Sequence, residues 1–176
     1  MADFLTDVET LRKQARMEIE KGPITEAYKA DLGRVIEVLN SALATELVCV
    51  LRYRQHHFAA KGLDAEPVAA EFLVHAGEEQ GHADRLAARI AQLGGTPDMD
   101  PDTLTARAHS EYETSENLVE MIKENLVAER IAIASYTEII GWLGTNDPTT
   151  RRLIEDILAV EEEHADDLLG FLDKVA

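Results

Sequence analysis

Cysteine is nearly absent, with one residue, Cys49, in a chain of 176. A single thiol excludes an intrachain disulfide and any metal site built on several cysteines, and it suits a reducing compartment. Proline (5) and glycine (10) are scarce, and aromatic residues make up 5% of the chain. Alanine, leucine, glutamate and isoleucine dominate instead, a composition that favours helices over sheets. Positive charge is also short, with 17 basic side chains against 34 acidic ones, a formal charge of −17. Such a charge repels phosphate backbones, and the N-terminal segment supplies no basic arm. Its Arg12, Lys13, Arg16 and Lys21 are matched by Asp3, Asp7, Glu9, Glu18 and Glu20. Nucleic-acid binding is therefore not expected. No apolar run approaches the roughly 20 residues of a membrane span, and the N-terminus lacks a signal peptide's apolar core, so the cytoplasm is the expected location. What remains, with 45% hydrophobic residues, is a globular chain long enough for one domain with a sizeable core.

Gly and Pro punctuate the chain at Lys21-Gly22-Pro23, at residues 61–67, at residues 94–116 and at Gly144-Thr145-Asn146-Asp147-Pro148. These breaks predict a short helix over residues 3–21 and four long ones over residues 25–60, 67–93, 115–143 and 148–175. Asp147 before Pro148 has the chemistry of an N-cap followed by a first-turn proline. Two links are short and the one near residues 94–114 is long, which describes two helix hairpins joined by a crossover. The expected architecture is an all-α four-helix bundle over residues 23–176, preceded by a helical extension over residues 1–22.

Each long helix has an apolar stripe at spacings of three and four, the mark of a face turned toward a bundle interior. The stripes read Ile36, Leu39, Leu43, Glu46, Val50, Tyr53, His57; then Phe72, His75, Glu79, His82, Leu86; then Ile122, Leu126, Glu129, Ile133, Tyr136, Ile140; then Ile154, Ile157, Glu161, His164, Leu168, Phe171. A carboxylate interrupts every stripe near its middle. In the second and fourth helices a histidine follows three residues later, one turn along the same face. Glu46 to Glu79 is 79 − 46 = 33 residues and Glu129 to Glu161 is 161 − 129 = 32. The unit Glu, then Glu-x-x-His, thus occurs once per hairpin.

A lone glutamate on a stripe usually marks an exposed end, and a lone core histidine is more often hydrogen-bonded than metal-bound. Four carboxylates at one depth require more, because each buried unpaired carboxylate costs several kcal/mol while a whole domain is stable by about 5–15 kcal/mol. Protonation would compensate them. So would two divalent metals, which set +4 against −4 and use both imidazoles, in the hard O/N coordination that suits iron or manganese.

This pattern is that of ferritin-like di-iron carboxylate proteins. The segments Ala44-Thr45-Glu46-Leu47-Val48, Glu78-Glu79-Gln80-Gly81-His82-Ala83-Asp84, Leu126-Val127-Ala128-Glu129-Arg130 and Ile157-Leu158-Ala159-Val160-Glu161-Glu162-Glu163-His164 resemble the four site segments of bacterioferritins. The resemblance covers most of residues 34–172. It implies a ferritin-like fold and iron storage and detoxification by a ferroxidase, with two iron ions per subunit held by Glu46, Glu79, His82, Glu129, Glu161 and His164. Whether Glu79 and Glu161 are terminal or bridging stays open. By position, Tyr53 resembles the tyrosine that lies near the bacterioferritin centre. Two departures matter. Haem-binding bacterioferritins carry a methionine directly after the glutamate of the second helix, where this chain has Gln80, so haem is not expected. Only 176 − 164 = 12 residues follow His164, leaving no room for the fifth helix of large cages, so a hollow homo-oligomer of 12 rather than 24 subunits, like the mini-ferritins, is expected.

The remaining residues have plainer expectations. His75, one turn before Glu79, is expected to be a hydrogen-bonded interior histidine, with an extra metal ion as the alternative. His56, His57 and His109 are expected to be solvated or capping, Cys49 and Tyr136 to fill the core, Trp142 to pack, and Glu162, Glu163, Asp166 and Asp167 to form a solvated acidic face. Two other functions stay open: a dimanganese catalase or other di-iron redox enzyme without storage, and a metal-free helical scaffold. The lack of a Cys-x-x-Cys pair weighs against a rubrerythrin-type electron-transfer module.

Overall fold

The computed structural model describes residues 6–62 and 65–175, and every regular element among them is helical. Helix α1 is Val8–Met17, followed by a 3₁₀ turn at Ile19–Lys21; α2 is Leu32–Ala59, α3 Ala65–Gln92, α4 Leu104–Arg107, α5 Leu118–Leu143 and α6 Pro148–Val175. The chief packing partners are α2 with α3 and α5 with α6. The bundle is thus two hairpins, joined by the crossover between α3 and α5. No described helix is long and apolar enough to cross a membrane.

Capping fixes the boundaries and corrects several expectations. Residues 25–31 are not helical; α2 starts after Asp31, whose carboxylate accepts from the Arg34 N–H at 3.1 Å. Helix α5 starts at Leu118 rather than 115, with Asn117 accepting from the Glu120 N–H at 2.9 Å. Asp147 caps α6 as its sequence suggests, accepting from the Thr150 N–H at 2.9 Å, and it also receives the Arg89 guanidinium at 2.9 Å and the Tyr28 hydroxyl at 3.1 Å. One buried carboxylate therefore ties the end of α3 and the segment before α2 to the start of α6. Helix α1, capped by Asp7, buries no residue; residues 3–5 of the expected first helix lie outside the described residues. The crossover contains the one-turn α4 and is pinned to α2, where Thr45 Oγ1 accepts from the His109 N–H at 2.9 Å and Arg52 donates to the Glu111 carbonyl at 3.0 Å.

Two hydrophobic clusters fill the bundle. One gathers Leu39, Leu43, Leu86, Tyr136, Ile154 and Ile157; the other gathers Tyr53, Phe72, Met121, Ile122 and Leu168. Along each long helix the change from one cluster to the other falls at Glu46, Glu79, Glu129 or Glu161. The four carboxylates thus form a polar layer between two dry ones. On α5 the buried row runs Met121, Asn125, Ala128, Ala132, Tyr136, Ile139 and Leu143, so Leu126, Ile133 and Ile140, expected on the stripe, are only half-buried flanks.

Candidate metal centre

All six expected ligands, Glu46, Glu79, His82, Glu129, Glu161 and His164, are buried, none more than 5% exposed. They form two overlapping sets. Donor atoms of Glu46, Glu79, His82 and Glu161 lie within 4.8 Å of one another, as do those of Glu79, Glu129, Glu161 and His164. Glu79 and Glu161 belong to both sets, whereas Glu46 and Glu129 belong to one each. The His82 Nδ1 atom is 3.0 Å from Glu161 Oε1, 3.2 Å from Glu46 Oε2 and 3.4 Å from Glu79 Oε2. The His164 Nδ1 atom is 3.5 Å from Glu79 Oε1, 3.7 Å from Glu161 Oε2 and 3.9 Å from Glu129 Oε2. The Glu-x-x-His spacing places each imidazole one turn beyond its carboxylate on the same face, and packing the two hairpins brings both turns to one level.

The two unshared carboxylates, Glu46 and Glu129, are held from opposite hairpins. Tyr53 on α2 donates to Glu129 on α5, and Tyr136 on α5 donates to Glu46 on α2. Tyr136 is therefore part of the site and not the core filler the sequence suggests. Its signal was a second spacing, since 53 − 46 = 7 and 136 − 129 = 7, so each tyrosine stands two turns beyond the glutamate of its own helix and reaches the glutamate of the other. His164 Nε2 is held 2.9 Å from Glu78 Oε2, which orients Nδ1 inward. His75 Nδ1 meets the Tyr53 hydroxyl at 3.2 Å, and its ring stacks on that of His164 with centroids 4.0 Å apart.

Without a cation, burial and neighbouring charge favour the protonated forms of two of the carboxylates. Burial, with the nearby Glu79 and Glu161, pushes Glu46 and Glu129 well above the usual carboxylate range. Burial acts against the charged imidazoles, yet the surrounding carboxylates outweigh it and raise His82 to about 12 and His164 to about 11. Burial would raise Glu79 as well, but the adjacent Glu46 and the two imidazoles hold it far below its ordinary value. Even so, Glu79 Oε1, Glu129 Oε2, Glu161 Oε1 and His164 Nδ1 are buried without a hydrogen-bond partner among the described residues. Buried polar atoms rarely go unpaired, and these four point into one space. Two hard divalent cations would engage all of them, so the donor set fits the metal pair its sequence suggests.

Comparison with known proteins gives the family. The model of the ferritin-like domain matches residues 36–176. The chain belongs to the ferritin-like family. Among its ferritin-like relatives, a bacterioferritin of Desulfovibrio desulfuricans is 30% identical over 132 residues, 74% of this chain and 70% of that one. A nutrient stress-induced DNA-binding protein of a Synechococcus strain is 30% identical over 142 residues, 79% of this chain and 81% of that one. The solved structure of a dodecameric thioferritin, the bacterioferritin-related protein of Bacteroides fragilis, superposes with a TM-score of 0.80 at 35% identity, covering 84% of this chain and 89% of that one.

Outside the pocket, Cys49 is a buried core thiol, its ionisation pushed well up by burial. His56 is fully buried rather than solvated, 3.5 Å from the Ser115 N–H. Trp142 does not pack away; it is 45% exposed. Glu162, Glu163, Asp166 and Asp167 are exposed as expected.

Proposed function

We propose that the protein is a ferroxidase that detoxifies and stores iron, taking two Fe(II) per chain into the six-ligand pocket. The observation that supports this reading is the doubled donor set, in which each inward imidazole nitrogen faces one terminal carboxylate and the same two shared carboxylates. In it Glu79 and Glu161 bridge, Glu46 and His82 complete one metal position, and Glu129 and His164 complete the other. A bridged pair sits about 3.5–4 Å apart, a spacing these donors span.

Iron is the substrate, and each Fe(II) gives up one electron. Dioxygen takes two electrons and two protons and leaves as hydrogen peroxide; with hydrogen peroxide as oxidant, the same two electrons and two protons yield two waters. The residues favour this oxidation by charge: four hard carboxylates around two cations stabilise the ferric more than the ferrous state. Cation binding displaces the protons on Glu46, Glu129, His82 and His164, because only deprotonated groups ligate. Tyr53 and Tyr136 hold the terminal carboxylates in place, and the two apolar clusters keep bulk water from the layer. With hard O/N donors alone the pocket also accepts manganese, and Gln80, which bonds to Asp84 at 2.9 Å, offers no thioether for haem.

The likeness to a dodecameric thioferritin supports a hollow homo-oligomer of 12 copies in preference to 24. Exposed apolar side chains, including Leu51, Phe58, Val127 and Trp142, provide surface for neighbouring copies to cover. Native mass measurement after aerobic Fe(II) loading tests the whole reading. A particle near 12 × 19.5 = 234 kDa that retains far more than two irons per chain is expected. A 19.5 kDa monomer would exclude the shell, and slow oxidation by the fresh apoprotein would exclude the ferroxidase. Despite its DNA-binding relative, a charge of −17 per chain predicts no retardation of duplex DNA at about 0.15 M salt.

A further inference from the structure

We infer that the chain carries a third cation site, outside the six-ligand pocket, in which Glu71, His75 and Asp167 hold one divalent metal ion at the bundle surface. The three donors lie within 4.8 Å of one another. His75 Nε2 is 3.5 Å from Glu71 Oε1 and 3.8 Å from Asp167 Oδ2. Two donors each about 2.1 Å from a shared ion stand roughly 3.0–3.4 Å apart, so a small rotation of either carboxylate completes the geometry. The imidazole is pre-aimed. It is 1% exposed, fixed on one side by the Tyr53 hydroxyl at 3.2 Å and on its face by the His164 ring, and its Nε2 is buried with no hydrogen-bond partner among the described residues. Both carboxylates reach solvent, 33% and 50% exposed, and among the described residues neither pairs with a lysine or arginine. They can therefore take an ion from water and hand it to a nitrogen that has no other occupation.

One imidazole and two carboxylates, with water completing the shell, suit Fe(II), Mn(II) or Zn(II) rather than a soft ion. Helix periodicity builds the site from two elements. Glu71 and His75 are four apart on α3 and share a face, and Asp167 stands one turn beyond His164 on α6. The ion would rest one ring from the pocket, separated from it by the His75–His164 stack.

The test uses Zn(II), which cannot be oxidised, on the metal-free full-length protein and on a Glu71→Gln/Asp167→Asn variant. Both substitutions fall at solvent-reaching positions and keep side-chain volume, so the fold and the central six ligands are left in place. Calorimetric titration should give three ions per chain for the parent and two for the variant. Anomalous scattering at the zinc edge should show a peak on His75 Nε2 in the parent that disappears in the variant. A parent with two central peaks and nothing at His75 would overturn the third site, as would a variant that keeps the His75 peak. A His75 peak without central peaks would leave the third site standing and remove the dinuclear reading instead.

Discussion

At one end of the pocket, the residues of α6 four and eight positions before Glu161 are Ile157 and Leu153; at the other, the residues of α3 four and eight positions before Glu79 are His75 and Glu71. Three residues beyond the two histidines the contrast repeats, with Arg85 after His82 and Asp167 after His164. The ligands themselves obey the twofold pattern, down to the crossed tyrosines. Around them the pattern is dropped: Ile157 is buried in an apolar cluster, and Arg85 pairs outward with Asp156 at 3.0 Å. Symmetry is thus kept among the six inward donors and abandoned in the residues that flank them.

The largest effects should ignore that difference. Glu46→Ala and Glu129→Ala each delete one metal position, and because oxidation needs the pair, each should cut the initial Fe(II) oxidation rate by at least about 100-fold, beyond the 10–100-fold seen when only supporting residues are lost. Stopped-flow absorbance of the two variants checks this. Unequal losses would mean that one position works alone. Each change also leaves a buried tyrosine hydroxyl, Tyr136 or Tyr53, without its acceptor, so the metal-free melting temperature should fall.

Protonation offers a second measurement common to both ends. His82 and His164 keep their protons when folded at pH values where the unfolded chain, titrating near 6.5, has lost them. Glu46 and Glu129 do the same above 4.5. The native state then binds more protons than the unfolded one, and stability falls as pH rises. Glu79, held low, opposes this only near and below 4.5. Calorimetry in chelator should therefore show the metal-free melting temperature falling between about pH 6 and pH 9. Loading with Zn(II) should flatten or invert the slope, because cations replace the protons. A rising metal-free curve would contradict the protonated pocket.

The tyrosines begin to separate the ends. Tyr136→Phe leaves a Glu46 oxygen unpaired, a loss of about 1–3 kcal/mol. Tyr53→Phe does the same to Glu129 and also strips His75 of its partner, so it should lower the metal-free melting temperature further. Equal shifts would show that His75 gains nothing from Tyr53.

The repeat of glutamate and histidine was legible because helical periodicity and burial cost act on single positions, and six polar residues on apolar stripes cannot hide. Hairpin order was legible from link lengths for the same reason. Which carboxylates are shared was not, since that depends on how the hairpins are rotated against each other. Tyr136 passed as core because a buried tyrosine on a stripe looks the same whether its hydroxyl meets a backbone carbonyl or Glu46. The start of α2 was misplaced because residues 25–31 contain helix formers, and only the capping of Arg34 by Asp31 and the distant Tyr28–Asp147 bond show that the segment turns. Asp167 read as one of four solvated acids; its relation to His75 spans two helices and has no trace in local spacing.

The smallest effect should be the most selective. Asp167→Arg places a cation at the His75 end, where Glu71 and Asp167 face water, while Arg85→Asp places a carboxylate at the Ile157 end. Neither touches the six ligands, so the two irons of the central pocket should be kept in both, while Asp167→Arg also removes one donor of the third site. The approach of Fe(II) should change, because fixed charge at a mouth alters the local concentration of an incoming ion. Asp167→Arg should slow oxidation several-fold at low Fe(II) and low ionic strength, and the deficit should shrink near 0.15 M salt, where the screening length is about 8 Å. Arg85→Asp should leave the rate within about twofold, since Arg85 pairs outward with Asp156 and stands beside no group of cation donors. Rates measured against Fe(II) concentration at two ionic strengths decide between the ends. If both variants slow the reaction alike, ions enter without regard to the contrast, and the asymmetry around the pocket serves packing alone.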